Sequence, residues 1–542
     1  MLAPFTLAVV LAAQGSPAPA PPAAPPPASG APASAAPAPA AAAPAPAPAE
    51  GTAPAPAPAP AEDNETVVQT VPDSVFEDGV KAFDAGDYRT AAQAFWHFLS
   101  GNEQTADHYE WAEYYLARSF LRLGVNHAGV EYLYNVAKER KRPELLPEAL
   151  RDLEKVRDLL PYDDELIDID LLRSGDFGAL PPDVKSFVEY QQGRLDLLDG
   201  RNAWAERHFD RLSRTSDDEQ RVQRYALRAK LAQALADLKS THAQDTKAKR
   251  DTRDAAQKAL QEIAASKIDD FKVKNDAKRV LAEVLFERRE FDGALRVYNS
   301  MEVPFLSEEE ANLFLEKAWA RYYKGDARGA LGILLTLDAP SYRKYFKPER
   351  FVLKALAYKT LCHYAAAKAS AREFLRRYGS SLDEVRRSRD PLTDPVVRTA
   401  AVQRKKPKRI YAFLDSLQRE RDQVDRFSDE HGLATHLARI YDLKIAEVNR
   451  ELDRVVKEEG IKVATELLDY EEQARLVDYE VSLEVFRRLK RGKGKKVVDQ
   501  EAPVPLGSRQ VYYRFDGEYW NDELHDYRFR IDNRCFGEEL FE

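Results

Sequence analysis

The stretch Gly79-Val-Lys-Ala-Phe-Asp-Ala-Gly-Asp-Tyr-Arg-Thr-Ala-Ala-Gln-Ala-Phe95 decides the fold. The small residues Gly79 and Ala91 stand on either side of a Gly-Asp turn, and an aromatic residue follows each of them by one helical turn. Small side chains let two helices approach closely, and the aromatic side chains supply apolar surface for a neighbouring layer. This stretch therefore predicts a helical hairpin.

The same arrangement of small residues recurs down the chain. The small position of the first helix falls on Gly79, Ala117, Gly193, Ala282, Ala318 and Ala355, and that of the second helix on Ala91, Gly129, Ala205, Ala294, Ala330 and Ala367. A single hairpin cannot bury its apolar face, so successive hairpins stack into a superhelix with a concave surface. The repeat predicts an all-α solenoid over residues 73–380.

The pattern resembles the tetratricopeptide repeat (TPR). The resemblance rests on the two small positions and on the turns Gly-Asp-Tyr at 86–88 and Gly-Asp-Ala at 325–327. The chain departs from the family in three respects. The family's Trp is absent, and its closing Pro is mostly missing. Neighbouring repeats are also about 36–38 residues apart instead of about 34. The resemblance implies a scaffold that binds other proteins and has no enzymatic activity.

The amino terminus combines a candidate export signal with a low-complexity spacer. Within residues 1–16, the apolar run Phe5–Ala13 is followed by small residues, as in a signal peptide, although no Lys or Arg precedes it. Residues 17–72 are rich in Ala and Pro and predict a disordered linker without a core. The apolar run is too short for a membrane anchor. We expect a periplasmic protein, with a cytoplasmic location as the alternative.

Charge and cysteine content exclude several classes of protein. Seven acidic residues and no Lys or Arg precede Lys81, so the net charge of −9 becomes 81 − 83 = −2 in the rest of the chain. This balance argues against a nucleic-acid-binding surface. Cys362 and Cys535, the two cysteines of the sequence, rule out a disulfide framework and Cys-rich zinc sites. Whether they pair, or Cys362 is a buried free thiol, stays open.

Charged segments follow the repeats. Residues 381–408 contain Pro391, Pro395 and Pro407 and predict an exposed basic connector. Residues 409–491 show apolar spacings typical of long charged helices, interrupted at Gly432 and Gly460. These helices either pack antiparallel within the chain or form a coiled coil with a partner.

A basic stretch, Arg487–Lys496, runs from the last of these helices into a linker over residues 492–507. Its two interpretations are a solvated linker and contact with an anionic membrane or cell-wall polymer. The stretch itself contains no aromatic residues for base stacking, which disfavours nucleic acid as a partner.

Residues 508–542 differ from the rest because aromatic residues alternate with polar ones. Asp516-Gly517 is a strong hairpin-turn signal, so we expect a small β-hairpin-like tail, either a packed cap or a strand that docks a partner. The segment Gly517–Cys535 resembles the tail of some envelope TPR proteins linked to gliding motility. That resemblance implies a motility-related envelope complex.

No catalytic, metal-binding or cofactor-binding residues are predicted. The sequence lacks the Gly-x-Ser-x-Gly, P-loop, Gly-x-Gly-x-x-Gly and His-Glu-x-x-His motifs, and its nine histidines are scattered. The leading hypothesis is a non-enzymatic scaffold of a bacterial envelope assembly. The alternatives are a cytoplasmic TPR adaptor and a substrate-recognition factor for a separate cell-wall enzyme. Aromatic and Arg residues dominate binding hot spots, so the candidate partner-binding residues are Tyr114, Arg118, Arg321, Tyr322 and Trp520.

Overall fold

A computed structural model of the chain describes residues 71–159, 171, 177–213, 220–241, 246–490, 495–496, 517–525, 527–535 and 539–541. Residues 1–16, predicted to be a signal peptide, lie outside the described residues. The same holds for residues 17–70 of the predicted Ala/Pro-rich linker. Residues 492–494 and 497–507 of the second linker also lie outside the described residues.

The described residues between 73 and 387 form helices, most of which pack as successive hairpins. Their bounds are α1 (Asp73–Asp84), α2 (Tyr88–Gly101), α3 (Tyr109–Leu123), α4 (Asn126–Glu139), α5 (Leu145–Leu159), α6 (Pro182–Leu198), α7 (Asn202–Ser213), α8 (Gln220–Thr241), α9 (Lys247–Ala264), α10 (Phe271–Glu287), α11 (Phe291–Asn299), α12 (Glu308–Tyr323), α13 (Ala327–Leu337), α14 (Pro340–Arg343), α15 (Glu349–Thr360) and α16 (Tyr364–Arg387). The two helices of each hairpin are in close contact; the hairpins are α1–α2, α3–α4, α6–α7, α8–α9, α10–α11, α12–α13 and α15–α16.

The predicted register of the hairpins is confirmed by burial. Each of the twelve small positions is buried, and Ala91 and Ala330 have no exposed surface. A Cβ atom on Gly79 would lie 2.8 Å from the Phe95 ring, closer than normal contact. Small side chains are therefore required where the two helices of a hairpin meet, and the TPR-like stacking follows from them.

The Gly-Asp turns have a separate cause. Gly86 and Gly325 have φ values of +81° and +91°, which L side chains rarely adopt. The next residue caps the following helix: Asp87 accepts a hydrogen bond from the Thr90 amide at 3.2 Å, and Asp326 accepts one from the Gly329 amide at 2.8 Å. The dipeptide thus ends one helix and starts the next.

The repeats are followed by a helix that joins the two ends of the stack. Helices α17 (Pro395–Val402) and α18 (Lys405–Val424) precede α19 (Leu433–Lys490), whose 58 residues span about 87 Å. Its first half packs on α18 and α4, in one hydrophobic cluster with the first hairpins. Its second half packs on α15, α16 and α17, in a second cluster with the last hairpins. Packing within the chain, one of the two arrangements expected for these helices, is therefore observed.

The expected interruption at Gly460 is wrong. Gly460 lies within the continuous helix α19 and is buried, and a Cβ atom there would lie 2.5 Å from the Leu392 side chain. Glycine is needed at this position because the Leu392 side chain approaches α19 closely there, and not because the chain turns. At Gly432, by contrast, φ is +75° and α19 starts immediately afterwards.

The expectation of an exposed connector at 381–408 also needs correction. Pro391 and Pro395 lie at the first positions of a 3₁₀ turn and of α17, where the missing amide hydrogen costs nothing, and Asp390 and Asp394 cap these elements. Val397 and Ala401 are buried against neighbouring helices. The prolines here start helices.

The predicted β-hairpin of the tail is not found among its described residues. Residues 517–520 and 527–534 have no regular secondary structure, Asn521–Glu523 form a 3₁₀ turn, and residues 508–516 and 526 lie outside the described part. Two short strands, β1 (Lys495–Lys496) and β2 (Glu539–Phe541), pair in parallel instead. Of the aromatic residues of the tail, Phe529 packs edge-on against Tyr358 of α15, and Tyr519 packs edge-on against Tyr527.

Candidate interaction surfaces

The described residues of 517–535, called here the tail, lie against α12, α13 and α15. The surface of these three helices that the tail contacts is called here the tail groove. Leu524 of the tail is completely buried in the cluster of the last hairpins. Its carbonyl oxygen accepts a hydrogen bond from the Thr336 hydroxyl of α13 at 2.6 Å. A Leu side chain in an apolar pocket and a satisfied carbonyl together anchor the tail at this point.

Glu310 holds the next residue of the tail. Its carboxylate Oε1 lies 3.2 Å from His525 Nε2, while Oε2 accepts hydrogen bonds from the Tyr342 hydroxyl at 2.7 Å and the Leu306 amide at 2.6 Å. Glu310 is only 3% exposed. Ser307, three residues earlier, caps α12 by accepting a hydrogen bond from the Glu310 amide at 3.1 Å. A capping-box sequence thus places a buried carboxylate at the edge of the groove.

The tail passes very close to α13 at Gly332. A Cβ atom on Gly332 would lie 2.6 Å from the carbonyl oxygen of Tyr527, a backbone atom that cannot rotate away. Two residues further on, the Phe529 ring packs edge-on against Tyr358 of α15, with ring centroids 6.0 Å apart. Glycine at 332 therefore permits the tail to cross the helix.

The end of the tail is joined to the turn between α15 and α16 by hydrogen bonds and a covalent bond. His363 Nε2 lies 2.7 Å from the Asp532 carbonyl oxygen, and the Arg534 amide donates to the Leu361 carbonyl at 3.0 Å. Cys362 and Cys535 form a disulfide, with their Cα atoms 5.1 Å apart. The question left open by the sequence is answered in favour of pairing.

The candidate residues of the first hairpins form a packing cluster. Tyr114 is only 4% exposed, its hydroxyl donates to Asp152 at 3.2 Å, and burial raises its pKa well above the usual range. The Arg118 guanidinium lies over the Phe83 ring at 5.2 Å and 3.6 Å from Asp152. Tyr114 has little surface for a partner, whereas Arg118 retains a partly exposed side chain.

The other candidates lie near the last hairpins. Arg321 pairs with Asp326 at 2.7 Å within the turn of its own hairpin, and the Tyr322 hydroxyl is 3.4 Å from the Thr360 hydroxyl. Trp520 belongs to the tail, and its amide is 3.3 Å from the Tyr527 hydroxyl while 62% of the residue is exposed. Tyr114, with Arg118 over its ring, belongs to the first hydrophobic cluster, whereas Tyr322 packs against the second, so they do not form one site.

A row of aromatic rings lies next to Tyr322. Tyr323 stacks on Trp319 at 5.6 Å and on Phe291 at 5.9 Å, yet it is partly exposed at the edge of the hairpins. Arg289, Asp292 and Lys324 surround it and line a shallow depression. Tyr323 therefore offers a partly exposed aromatic ring next to a candidate contact residue.

The described residues offer neither a metal site nor a membrane-spanning helix. They contain no group of three or more His, Cys, Asp or Glu side chains placed to hold a metal ion. Within the same residues, none of the helices combines the length and the apolar character that crossing a membrane requires.

Comparisons with known proteins add little to this description. No protein-family model and no characterised protein matches the chain. Among solved structures, it is similar to the TPR domain of P58(IPK), with 17% identity, a TM-score of 0.19 and coverage of 78% of this chain and 98% of that one. It is also similar to a circular tandem repeat protein with novel repeat topology and enhanced subunit contact surfaces, with 15% identity, a TM-score of 0.14 and coverage of 78% and 97%. The assignment as a TPR-like helical repeat protein rests on the hairpins themselves.

Proposed function

We propose that the chain is a non-enzymatic scaffold for protein–protein interaction. The observation that carries this proposal is the tail groove, in which stacked hairpins hold an extended segment by its backbone, by a buried Leu and by the contact of the Glu310 carboxylate with the His525 ring. Surfaces of this type suit recognition of extended polypeptides. A scaffold needs no cofactor, and its work consists of holding partners together.

The proposed compartment is the bacterial periplasm. The apolar run Phe5–Ala13 supports export, and so does the Cys362–Cys535 disulfide, because such bonds persist in oxidising compartments. A cytoplasmic TPR adaptor, the alternative, would keep both thiols reduced. Mass spectrometry of protein from its native bacterium tests both points: we expect a terminus near Gly15–Pro17 and no free thiol. An intact Met1 together with two free thiols would contradict export.

Within the envelope, we propose a role in a multi-protein assembly, with gliding motility as the process that the resemblance of the tail favours. A recognition factor for a separate cell-wall enzyme is the alternative.

Contact of Arg487–Lys496 with an anionic membrane or wall polymer is supported by the exposed side chains of Arg487 and Lys490 at the end of α19. Arg488 is less accessible because it pairs with Glu484 and lies over the Tyr364 ring.

Among the candidate residues, Trp520 is the preferred contact because it is the most exposed. Arg118, Arg321 and Tyr322 remain proposed contacts. Tyr114 is proposed to position Arg118, because the Arg118 guanidinium lies over the Tyr114 ring.

In-cell photo-crosslinking tests the scaffold function. A photoreactive amino acid replaces Trp520 in one strain and the exposed Ala255 of α9 in a control strain. We expect discrete protein adducts from position 520 that are absent from position 255. Deleting residues 508–542 should remove the partners that are captured through position 520, while the helical circular dichroism signal persists. Loss of function on replacing a single His or carboxylate, with partners and stability unchanged, would instead indicate an enzyme.

A further inference from the structure

We propose that the tail groove is a binding site for an extended peptide of another protein, and that residues 517–535 occupy it as a tethered competitor. The inference rests on the proposed scaffold function and names the chemical class of one partner. It follows from three features of the groove: contacts to backbone atoms, a selective pair of side-chain sites, and a covalent tether at one end.

The backbone contacts do not depend on the sequence of the bound segment. The Thr336 hydroxyl and the His363 ring bind the carbonyl oxygens of Leu524 and Asp532, at 2.6 and 2.7 Å. The Leu361 carbonyl accepts from the Arg534 amide at 3.0 Å. Any polypeptide in the same extended conformation offers these groups, so the groove is able to accept a segment other than the tail.

Selectivity comes from two adjacent side-chain sites. One is the apolar pocket that encloses Leu524, and the other is the Glu310 carboxylate, which faces His525. The rings of Phe305 and Phe314 also lie close to the His525 ring. Because Tyr342 and Leu306 already donate to Oε2, Oε1 is the atom directed at the ligand. The groove therefore fits a peptide with an aliphatic residue followed by an imidazole or a cationic side chain.

The disulfide between Cys362 and Cys535, which tethers the tail, decides whether another peptide is able to enter the tail groove. The bond between Cys362 and Cys535 closes a loop of the chain over residues 363–534, so the effective concentration of the tail at the groove is far above that of a free peptide. A dithiol opens this link: the dithiol loses two electrons and two protons to become a disulfide, and the two cysteines gain them as thiols. The tail is then held by non-covalent contacts alone.

Fluorescence anisotropy with a labelled synthetic peptide tests the proposal. The probe is the 517–535 sequence with Cys535→Ser. The receptors are the full-length oxidised protein and a full-length open variant with Cys362→Ser, Cys535→Ser and Leu524→Asp, in which a carboxylate would have to enter the apolar pocket. We expect the open variant to bind the probe about 100-fold more tightly than the oxidised protein.

Gly332 supplies the matched control. In the open variant, Gly332→Leu should abolish probe binding, because its side chain takes the space of the Tyr527 backbone. Its thermal midpoint should equal that of the open variant, since no tail covers the position. A probe with Leu524→Asp should not bind either receptor.

Two results would overturn the proposal. Equal binding to both receptors, or binding that survives Gly332→Leu, would place the peptide site elsewhere. A dimer of the open variant that excludes the probe, seen by light scattering, would make a second copy the occupant. Absence of binding by a folded open variant would refute the groove as a peptide site and leave the scaffold function intact, since photo-crosslinking at position 520 tests that function independently.

Discussion

The Glu420 carboxylate of α18 caps the amino terminus of α4. Its Oε2 accepts a hydrogen bond from the His127 amide at 2.8 Å and another from the Tyr441 hydroxyl of α19 at 2.6 Å. The residue before α4 is Val125, whose side chain cannot cap. The first amide groups of a helix need acceptors, and here the acceptor comes from 293 residues further along the chain. The carboxylate therefore binds the first hairpins to the carboxy-terminal helices.

Replacing Glu420 should weaken this junction. Glu420→Ala leaves the His127 amide and the Tyr441 hydroxyl buried without an acceptor, so we expect the free energy of unfolding to fall by about 1–3 kcal/mol. Urea denaturation followed by circular dichroism measures the change. Asp422→Ala, at an exposed position of the same helix, is the control and should have no measurable effect. If both variants lost the same free energy of unfolding, the hydrogen bonds of the Glu420 carboxylate would make no specific contribution to stability.

The local part of the fold could be predicted because its causes lie close together in the sequence. Small residues at positions such as Ala91 and Ala330 are buried as expected, since a hairpin brings its two helices together whatever the rest of the chain does. The Gly-Asp turns are equally local, as one residue supplies the left-handed backbone and the next the cap.

The site could be predicted only in part, because its contacts are distant in the sequence. The aromatic content indicates that residues 508–542 pack on something, but nothing in it points to Gly332 or Glu310 as their partners. A capping-box sequence at Ser307–Glu310 is the available signal for that carboxylate. The expectation at Gly460 fails for the same reason, since its partner Leu392 lies in another element.

Two helical glycines should respond oppositely to alanine. A Cβ atom on Gly379 of α16 would meet no other atom within 4 Å, so Gly379→Ala gains helix propensity and should stabilise the protein by about 0.5–1 kcal/mol. A Cβ atom on Gly129 of α4 would lie 2.7 Å from the Leu121 side chain and 3.0 Å from the Ala117 carbonyl oxygen. Gly129→Ala should therefore lower the thermal midpoint, and a rise in both variants would contradict the close contact of α3 with α4.

Glu113 should make stability depend on pH. It is buried in α3, and burial, with a smaller effect of Glu139, raises the pKa of its carboxyl from 4.5 to about 7. Between these two values the folded state binds more protons than the unfolded state, so the contribution of Glu113 to stability falls as pH rises through this window. Glu113→Gln removes the titration. Relative to the wild-type protein, this variant should be more stable at pH 8 and nearly unchanged at pH 5.

Urea denaturation at both pH values measures this effect, with Glu77→Gln at an exposed position of α1 as the control. The control should follow the wild-type protein at both pH values. A Glu113→Gln variant that gained as much stability at pH 5 as at pH 8 would show that folding does not raise the pKa of the Glu113 carboxyl, contrary to the expectation.

Overpacking at the hairpin seam tests the repeat register itself. Ala330 of α13 has no exposed surface and faces α12 across the seam, so Ala330→Leu has no room for its added carbons and should cost about 1–3 kcal/mol. Ala91→Leu should cost a similar amount at the seam of α1 with α2, which lies in a different hydrophobic cluster. Ala255→Leu, at an exposed position of α9, should leave the thermal midpoint within error of the wild-type value because the new side chain remains in solvent. Equal midpoints for all three variants would mean that helices do not meet at these alanines, and the stacking argument would lose its physical basis.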